Sequence, residues 1–199
     1  MRVSSNDING FLMPPEMYAL EDWPDEGILL EIGTLQGKSA VAFAEAFEKY
    51  DKQWEIYTVD SYDTVTFERP KHITRPTWDA WLADRHLCIN GDEQERTARQ
   101  NIKGWPNIHQ IKKWFDENFC INIEPTALFY DADHEYEPVR LALEMYSHLK
   151  YIIVDDYNRN LFPGTVQAVD EHVKEHNKNV EILFRTNEGG VAVITNKEE

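Results

Sequence analysis

Two apolar segments of this chain each end in closely spaced acidic residues. The first, ALFYDADHEYEPV, contributes two aspartates and a histidine, and the second, YIIVDDY, contributes two aspartates. The residues concerned are Asp131, Asp133, His134, Asp155 and Asp156. A carboxylate that leaves water needs a cation or hydrogen bonds, because burying an unpaired charge costs much free energy. Acids clustered in this way indicate a site that holds a cation or moves a proton.

A second group of candidate residues lies in the segment LLEIGTLQGKSA at 29–40. Gly33 and Gly37 allow a tight turn and a close approach of backbone to a ligand. Ser39 can cap the following helix, whose N-terminus attracts an anion such as a carboxylate. The spacing is not G-x-G-x-x-G, so the dinucleotide fingerprint is absent. Asp60 ends the next predicted strand, where an acid either binds ribose hydroxyls or is simply a solvated turn residue.

Strands and helices must position these residues. Short apolar runs that alternate with stretches of helical periodicity predict where those elements lie. Strands are predicted at 27–34, 54–61, 107–114, 127–133, 151–156, 180–186 and 189–195. Helices are predicted at 39–50, 91–105, 137–150 and 164–176. This alternation predicts an α/β fold whose mostly parallel sheet is covered by helices on both faces. Around Gly189 and Gly190 the last two strands predict an antiparallel hairpin.

Ligands of such sheets bind beyond the carboxyl ends of the strands, where the strand order reverses. The acids at or near these ends are Glu31, Asp60, Asp131, Asp133, Asp155 and Asp156. We therefore expect them to gather along one edge of the sheet. Paired aspartates after a strand also occur in helix caps and solvated turns, and for Asp133 this alternative stays open.

The length of 199 residues predicts a single domain, 1–199, with one hydrophobic core. An N-terminal segment, 1–26, precedes the first predicted strand. Residues 62–90 are longer than an ordinary connection and carry two prolines and several aromatic side chains. This insertion is either a lid over the ligand edge or a packed surface excursion.

Charge and cysteine content limit the partners and the compartment. The net charge of −16 repels phosphate backbones, so nucleic-acid binding is disfavoured. Cys88 and Cys120 show no metal-site spacing and predict reduced thiols. No segment reaches transmembrane length, and the N-terminus lacks the apolar core of a secretory signal. We therefore expect a cytoplasmic protein without membrane or nucleic-acid partners.

Several segments, taken in order, resemble one known family. EIGTLQGKSAVAFA, YTVDSYD, ALFYDADHEYEPV, YIIVDDY and FPGTVQAVDEHV are similar to segments of the class I S-adenosylmethionine-dependent methyltransferases. Within that class the chain most resembles the metal-dependent O-methyltransferases of the catechol, macrolide-sugar and rhamnosyl types. The resemblance implies a Rossmann-like, doubly wound sheet of seven strands in the order 3-2-1-4-5-7-6, with the last strand antiparallel.

The resemblance also implies how S-adenosylmethionine would bind. The glycine turn would line its methionine part, and Ser39 would hold its carboxylate. Asp60 would bind the ribose hydroxyls, and Trp114 or Phe115 would contact the adenine. The implied cofactor-binding residues are Glu31, Gly33, Thr34, Gly37, Ser39, Asp60, Ser61, Trp114 and Asp131.

A divalent metal, expected to be Mg²⁺, is implied at Asp131, Asp155 and Asp156. Three converging carboxylates would raise one another's pKa without a cation, and Mg²⁺ accepts oxygen ligands. His134 lies where related enzymes place a lysine or histidine base, and an imidazole titrates near neutral pH. A hydroxyl group of a small molecule, such as a sugar or a phenol, would lose its proton to His134 and accept the methyl group.

Two departures from the family pattern keep alternatives open. The family's K-P-G-G turn before the fifth strand is absent, since Lys150 runs directly into Tyr151, and the third-strand motif is poorly matched. One alternative is a non-catalytic or repurposed S-adenosylmethionine-binding domain. Another is a different Rossmann-like enzyme such as an NAD-dependent oxidoreductase, against which the missing third glycine counts. The family often forms dimers or larger assemblies, so a homo-oligomer is also an option.

Overall fold

A computed structural model of the chain describes residues 2–8, 18–63, 90–185 and 189–197. The insertion expected at 62–90 lies almost entirely outside these described residues, as does part of the N-terminal segment. The expectations of a lid and of a single domain spanning the whole chain therefore stay predictions.

All seven predicted strands form, and they build one sheet. The strands are β1 Glu26–Ile32, β2 Gln53–Asp60, β3 Ile108–Lys112, β4 Ala127–Tyr130, β5 Tyr151–Val154, β6 Asn179–Arg185 and β7 Gly189–Thr195. Their order is β3-β2-β1-β4-β5-β7-β6. The first five strands pair in parallel, while β7 runs antiparallel to both β5 and β6. The predicted fold class, strand order and terminal hairpin are confirmed.

In the part of the chain that the structure describes, four α-helices cover the sheet, and they are α1 Lys38–Lys49, α2 Gly91–Ile102, α3 Tyr136–Met145 and α4 Pro163–Glu175. The third helix ends well before its predicted end at 150. Leu149 is buried in the core beyond this end, so its apolar character reflects the packing of a turn and not helical periodicity. No helix in the described ranges is both long and apolar enough to cross a membrane.

The sheet separates two apolar clusters, because successive strand residues point to opposite faces. In β1, Leu29 packs into the cluster that includes α1 and Trp54, while Leu30 packs into the cluster that includes α3 and α4. All of these side chains are nearly or fully buried. Burial on both faces fixes the register of β1, and with it the place where the strand ends.

Two glycines follow β1, and they should tolerate substitution to different degrees. Gly33 has a φ of 102°, and a Cβ there would lie 1.9 Å from the backbone oxygen of Asp131. Gly37 has a φ of 81°, but its Cβ would first meet the Ile102 Cγ2 at 3.0 Å, the movable end of a side chain. We expect Gly33→Ala to lower the free energy of unfolding by more than about 3 kcal/mol and Gly37→Ala by about 1–2 kcal/mol.

Urea denaturation followed by circular dichroism measures both losses under the same conditions. The Gly37→Ala variant is the control, since it carries the backbone strain without the clash against β4. Equal losses in the two variants would show that the approach of β1 to β4 does not require glycine at position 33.

Candidate active site

The carboxyl ends of β1, β4 and β5 lie side by side. Asp131 is the first residue after β4, and its N–H donates to the carbonyl of Ile32 at 2.9 Å. Asp155 is the first residue after β5, and its N–H donates to the carbonyl of Tyr130 at 2.9 Å. The parallel pairing therefore continues one residue beyond each strand and holds both aspartates at one edge of the sheet, as the sequence predicts.

The glycine turn after β1 is held by the side chain of Asp60, at the end of β2. One carboxylate oxygen, Oδ2, accepts the backbone N–H groups of Thr34 and Leu35, both at 3.0 Å. The other, Oδ1, accepts the N–H of Tyr62 at 2.8 Å. A carboxylate oxygen has two acceptor positions, so Oδ1 keeps capacity for a further donor. Asp60 thus positions the turn, and its binding of ribose stays a prediction.

The predicted capping role of Ser39 is wrong. The N-cap of α1 is Gly37, in the left-handed conformation, and no side chain caps this helix. Ser39 is buried inside the first turn and donates its hydroxyl to Glu31. The glycine begins the helix because a left-handed residue reverses the chain at that point, which leaves the helix N-terminus without a side-chain acceptor.

Glu31 is a fully buried carboxylate beneath the glycine turn. The Thr58 hydroxyl donates to its Oε2, whereas its Oε1 has no hydrogen-bond partner among the described residues. Burial raises the pKa of Glu31 to about 7, against hydrogen bonds from Ser39 and Thr58 that lower it. A buried acid with one unsatisfied oxygen indicates a place where positive charge would be favourable.

Three potential ligand atoms meet at the ends of β4 and β5. They come from Asp131, His134 and Asp156, and all lie within 4.8 Å of one another. Asp131 is half-buried. Burial, followed by the charges of Asp155 and Asp156, raises the pKa of Asp131 well above its ordinary value. The carboxylates of this site therefore repel one another, and a bound cation would reduce that repulsion.

The Nε2 atom of His134 lies 2.7 Å from an Oδ2 oxygen of Asp156. The contact is an ion pair when the imidazole carries its second proton. Burial lowers the pKa of His134, but the proximity and charge of Asp156, with Asp133 and Asp155, outweigh it and raise the pKa overall.

Asp156 has a strained backbone conformation, which directs its side chain toward this cluster. Its φ is 56°, in the left-handed region that aspartate adopts more readily than most residues. Hydrogen bonds on both sides hold the conformation: Asp155 N–H to the Tyr130 carbonyl, and Tyr157 N–H to the Gly190 carbonyl at 2.8 Å. Such strain persists only where the surrounding structure fixes it, and it occurs most often at functional sites.

Two residues that the sequence analysis did not single out hold His134 in place. The ring of Phe162, just before α4, stacks on the imidazole with centroids 4.3 Å apart. The hydroxyl of Thr165 donates to the His134 carbonyl at 3.2 Å. Gly164 permits this contact, because a Cβ there would lie 2.6 Å from the backbone nitrogen of Tyr136. Segments far apart in the chain meet here, so no local pattern could have identified them.

Asp155 and Asp133 differ in their relation to the cluster. Asp155 is adjacent: its Oδ1 accepts the N–H of Asp156 at 2.8 Å, and its charge acts on Asp131. His134, and not Asp155, completes the closest group of ligand atoms, although the predicted role of Asp155 as a metal ligand is untested. Asp133 is exposed and accepts the N–H of Glu135 at 2.9 Å. Asp133 is thus a turn residue, which is the alternative that its position after the strand left open.

The remaining predicted cofactor contacts lie at the ends of β2 and β3. Trp114 is 62% exposed, whereas the other tryptophans among the described residues are buried. It follows Lys113, whose N–H donates to the Asp60 carbonyl at 2.9 Å, so it stands beside the end of β2. Phe115 instead packs on Phe119, with ring centroids 5.0 Å apart, which makes Trp114 the more available ring. Ser61 accepts the N–H of Asp63 at 3.3 Å within the turn after β2.

Comparisons with known proteins agree with this architecture. A family model described as a methyltransferase domain matches residues 30–157. No curated protein sequence is similar enough to count as a relative. Among solved structures, the O-methyltransferase NovP has a TM-score of 0.60 at 18% identity, over 86% of this chain and 72% of its own.

Two further solved structures show how widely this fold is used. A SAM-dependent O-methyltransferase from Thermotoga maritima has a TM-score of 0.61 at 14% identity, over 99% of this chain and 74% of its own. A tRNA methyltransferase from Aquifex aeolicus has a TM-score of 0.57 at 15% identity, over 100% of this chain and 72% of its own. At these identities the likeness concerns the fold and not the substrate.

Substitution of Glu31 should change how stability depends on pH. Its pKa rises from 4.5 in the unfolded chain to about 7 in the native protein, so the native state binds this proton more tightly. Stability contributed by protonated Glu31 is therefore lost as pH rises through this window, by up to about 3 kcal/mol. We expect the ligand-free Glu31→Gln protein to equal the wild type near pH 4.5 and to exceed it by about 1–3 kcal/mol above pH 7.

Urea denaturation at a series of pH values measures this difference. Glu26→Gln is the matched control, because Glu26 lies on the same strand and is exposed. If the difference in free energy of unfolding between Glu31→Gln and wild type does not grow with pH, burial does not disfavour the ionised form of Glu31.

Proposed function

This chain belongs to the methyltransferase domain family and has the class I S-adenosylmethionine-dependent fold, and from that premise we propose that it methylates a hydroxyl group of a small molecule with the help of a divalent cation. One observation carries the proposal. The ligand atoms of Asp131, His134 and Asp156 converge within 4.8 Å, beside the glycine turn that begins α1.

The residues around the glycine turn fit a positively charged cofactor. S-adenosylmethionine supplies an electrophilic methyl group on a sulfonium, and its methionine part carries an ammonium group. The unpaired Oε1 of Glu31 and the carboxyl group of Asp131, whose pKa is raised, both favour nearby positive charge. Gly33 and Thr34 would lie along the methionine part, and the uncapped N-terminus of α1 suits its carboxylate.

Three side chains would hold the outer parts of the cofactor. Asp60 keeps acceptor capacity at Oδ1 for a ribose hydroxyl while its Oδ2 fixes the turn. Ser61 adjoins it in the turn after β2. Trp114 presents an exposed ring next to this position, and such a ring can stack on an adenine.

The acids at the ends of β4 and β5 fit a divalent cation. Asp131 and Asp156 offer carboxylate oxygens, the ligands that Mg²⁺ prefers, and Asp155 lies beside them. A bound cation would lower the pKa of a coordinated substrate hydroxyl. The raised pKa of Asp131 supports this assignment, since the charges that raise it are those that a cation would neutralise.

His134 is suited to accept the proton of the substrate hydroxyl. The stacked ring of Phe162 and the hydrogen bond from Thr165 fix the imidazole, and Asp156 stabilises its charged form. A base that is oriented before substrate binds contributes more to catalysis than a mobile one. The base and the carboxylates of Asp131 and Asp156 therefore lie together at the same edge of the sheet.

A small molecule is a better acceptor than a nucleic acid. The net charge of −16 and the row of acids at the sheet edge repel a phosphate backbone. Sugar and phenol acceptors are equally compatible with the described residues. The oxidoreductase alternative loses its basis, since both the family match and the strand order are those of methyltransferases.

Removal of the cation should abolish methyl transfer and leave cofactor binding intact. We expect saturable binding of S-adenosylmethionine in calorimetric titrations with Mg²⁺ and with EDTA, because the glycine turn does not need the metal. Transfer to catechol or to a methyl glycoside, followed by mass spectrometry, should occur with Mg²⁺ and disappear with EDTA. Transfer that persists in EDTA contradicts the metal assignment, and cofactor binding without transfer to any acceptor favours a non-catalytic domain.

Replacement of His134 should slow turnover without weakening cofactor binding. We expect His134→Gln to lower kcat by about 10²–10⁴-fold, since it removes the base, and to change the Kd for S-adenosylmethionine by less than about twofold. His148→Gln is the matched control, because His148 is exposed and outside the cluster. Unchanged kcat in the His134 variant would remove this residue from the mechanism.

A further inference from the structure

A second cluster of potential ligands lies at the other end of the helices that carry the candidate active site. Helices α3 and α4 pack against each other, and their N-terminal ends adjoin His134 and Phe162. Near their C-terminal ends, Glu144 of α3 faces His172 of α4 and His176, the C-cap of α4. Glu144 is about 12 Å along α3 from its first residue, at about 1.5 Å per residue. The two clusters are therefore separate.

His172 is a buried residue whose polar atoms are unsatisfied. Its exposure is 0%, and neither Nδ1 nor Nε2 has a hydrogen-bond partner in the described part of the chain. Buried imidazoles normally bond at least one nitrogen, because an unpaired buried polar atom costs free energy. Burial, followed by the charges of His176 and Lys178, lowers the pKa of His172 to about 4, so the ring is neutral at physiological pH.

The geometry places the three side chains around one point. His172 and His176 are one helical turn apart, and their ring centroids lie 4.4 Å from each other. The His176 Nε2 lies 3.5 Å from the Glu144 Oε1. One ligand atom from each of the three residues falls within a common distance of 4.8 Å. Glu144 and His176 are exposed, so an ion could reach the buried ring from solvent.

We propose that Glu144, His172 and His176 form a binding site for a divalent transition-metal ion of the zinc class. Two imidazole nitrogens and one carboxylate oxygen are a ligand set for Zn²⁺, with the fourth position left to water. Metal–ligand bonds of about 2.0–2.1 Å put tetrahedral ligands about 3.3 Å apart, so small rotations of these side chains suffice. Mg²⁺ is disfavoured because it prefers an all-oxygen shell.

Arg140 forms an ion pair with Glu144 and so competes with a metal ion for this carboxylate, but Arg140 also has other acidic partners. Its Nη2 lies 2.7 Å from the Glu144 Oε1, and the same guanidinium also bonds Glu175 and lies 3.8 Å from Glu171. An ion that takes Glu144 would therefore leave Arg140 paired. The nearby charge of Lys178 is engaged elsewhere, since its Nζ donates to the Leu149 carbonyl at 3.0 Å and to Asn196 at 2.7 Å.

A metal at this position would cross-link α3 to α4. The ion would bind native protein more tightly than unfolded chain, so it would raise the melting temperature by mass action. It would also fix the relative position of the two helices whose opposite ends carry His134 and Phe162. This site is independent of the proposed methyl transfer, and a loss of either does not remove the other.

Zinc uptake by purified, metal-free protein tests the proposal. After dialysis against Zn²⁺, atomic emission would count the zinc per chain for wild type, His176→Gln, Glu144→Gln, Asp156→Asn and the control His148→Gln. Glu144 and His176 are exposed and Asp156 is half-buried, so folding should survive each substitution, and circular dichroism would verify it. Asp156→Asn disables the other cluster, which could also take up Zn²⁺.

We expect Asp156→Asn to retain one zinc per chain and His148→Gln to retain as much zinc as the wild type. Zinc affinity at the α3–α4 site should fall at least about tenfold in His176→Gln and Glu144→Gln. Zn²⁺, but not Mg²⁺, should raise the melting temperature of Asp156→Asn. The proposal is overturned if Asp156→Asn takes up no zinc, or if adding His176→Gln to Asp156→Asn leaves its zinc content unchanged.

Discussion

The close approach of β1 to β4 is the constraint on which the candidate active site depends. At the end of β1 the backbone of Gly33 lies so near the Asp131 carbonyl that a Cβ would sit 1.9 Å from it. This contact brings the glycine turn, held by Asp60, to the first residue of the acidic cluster. A cofactor at the turn and a cation at the acids would therefore be neighbours, as methyl transfer between bound groups requires.

The site also shows that its charge distribution is not optimised for the ligand-free protein. Glu31 has a pKa of about 7 and one unpaired oxygen, and Asp131 has a strongly raised pKa next to further acids. The basic side chain of the acidic cluster is His134, and the charges of the neighbouring acids raise its pKa. Positively charged ligands would relieve the repulsion, so the same groups that weaken the empty fold favour binding.

The strands, their order and the acids at their ends could be predicted because apolar runs and strand–helix alternation are local properties. Three features of the site could not be predicted from the sequence. The N-cap of α1 is Gly37 and not Ser39, because a glycine in the left-handed conformation begins that helix. Asp156 reaches His134 through its positive φ, which residue type alone does not reveal. Phe162 meets His134 only after α4 has packed beside α3, a long-range contact without a sequence pattern.

The α3–α4 pair joins two histidine environments of opposite character. At one end His134 sits among acids that raise its pKa, and at the other His172 is buried beside basic groups that help to lower its own. Nearby carboxylates stabilise the charged imidazole that forms when a base accepts a proton, whereas a neutral imidazole beside basic groups suits metal coordination. Because the same two helices position both rings, whatever fixes the helices at one end also limits the movement of His134 at the other.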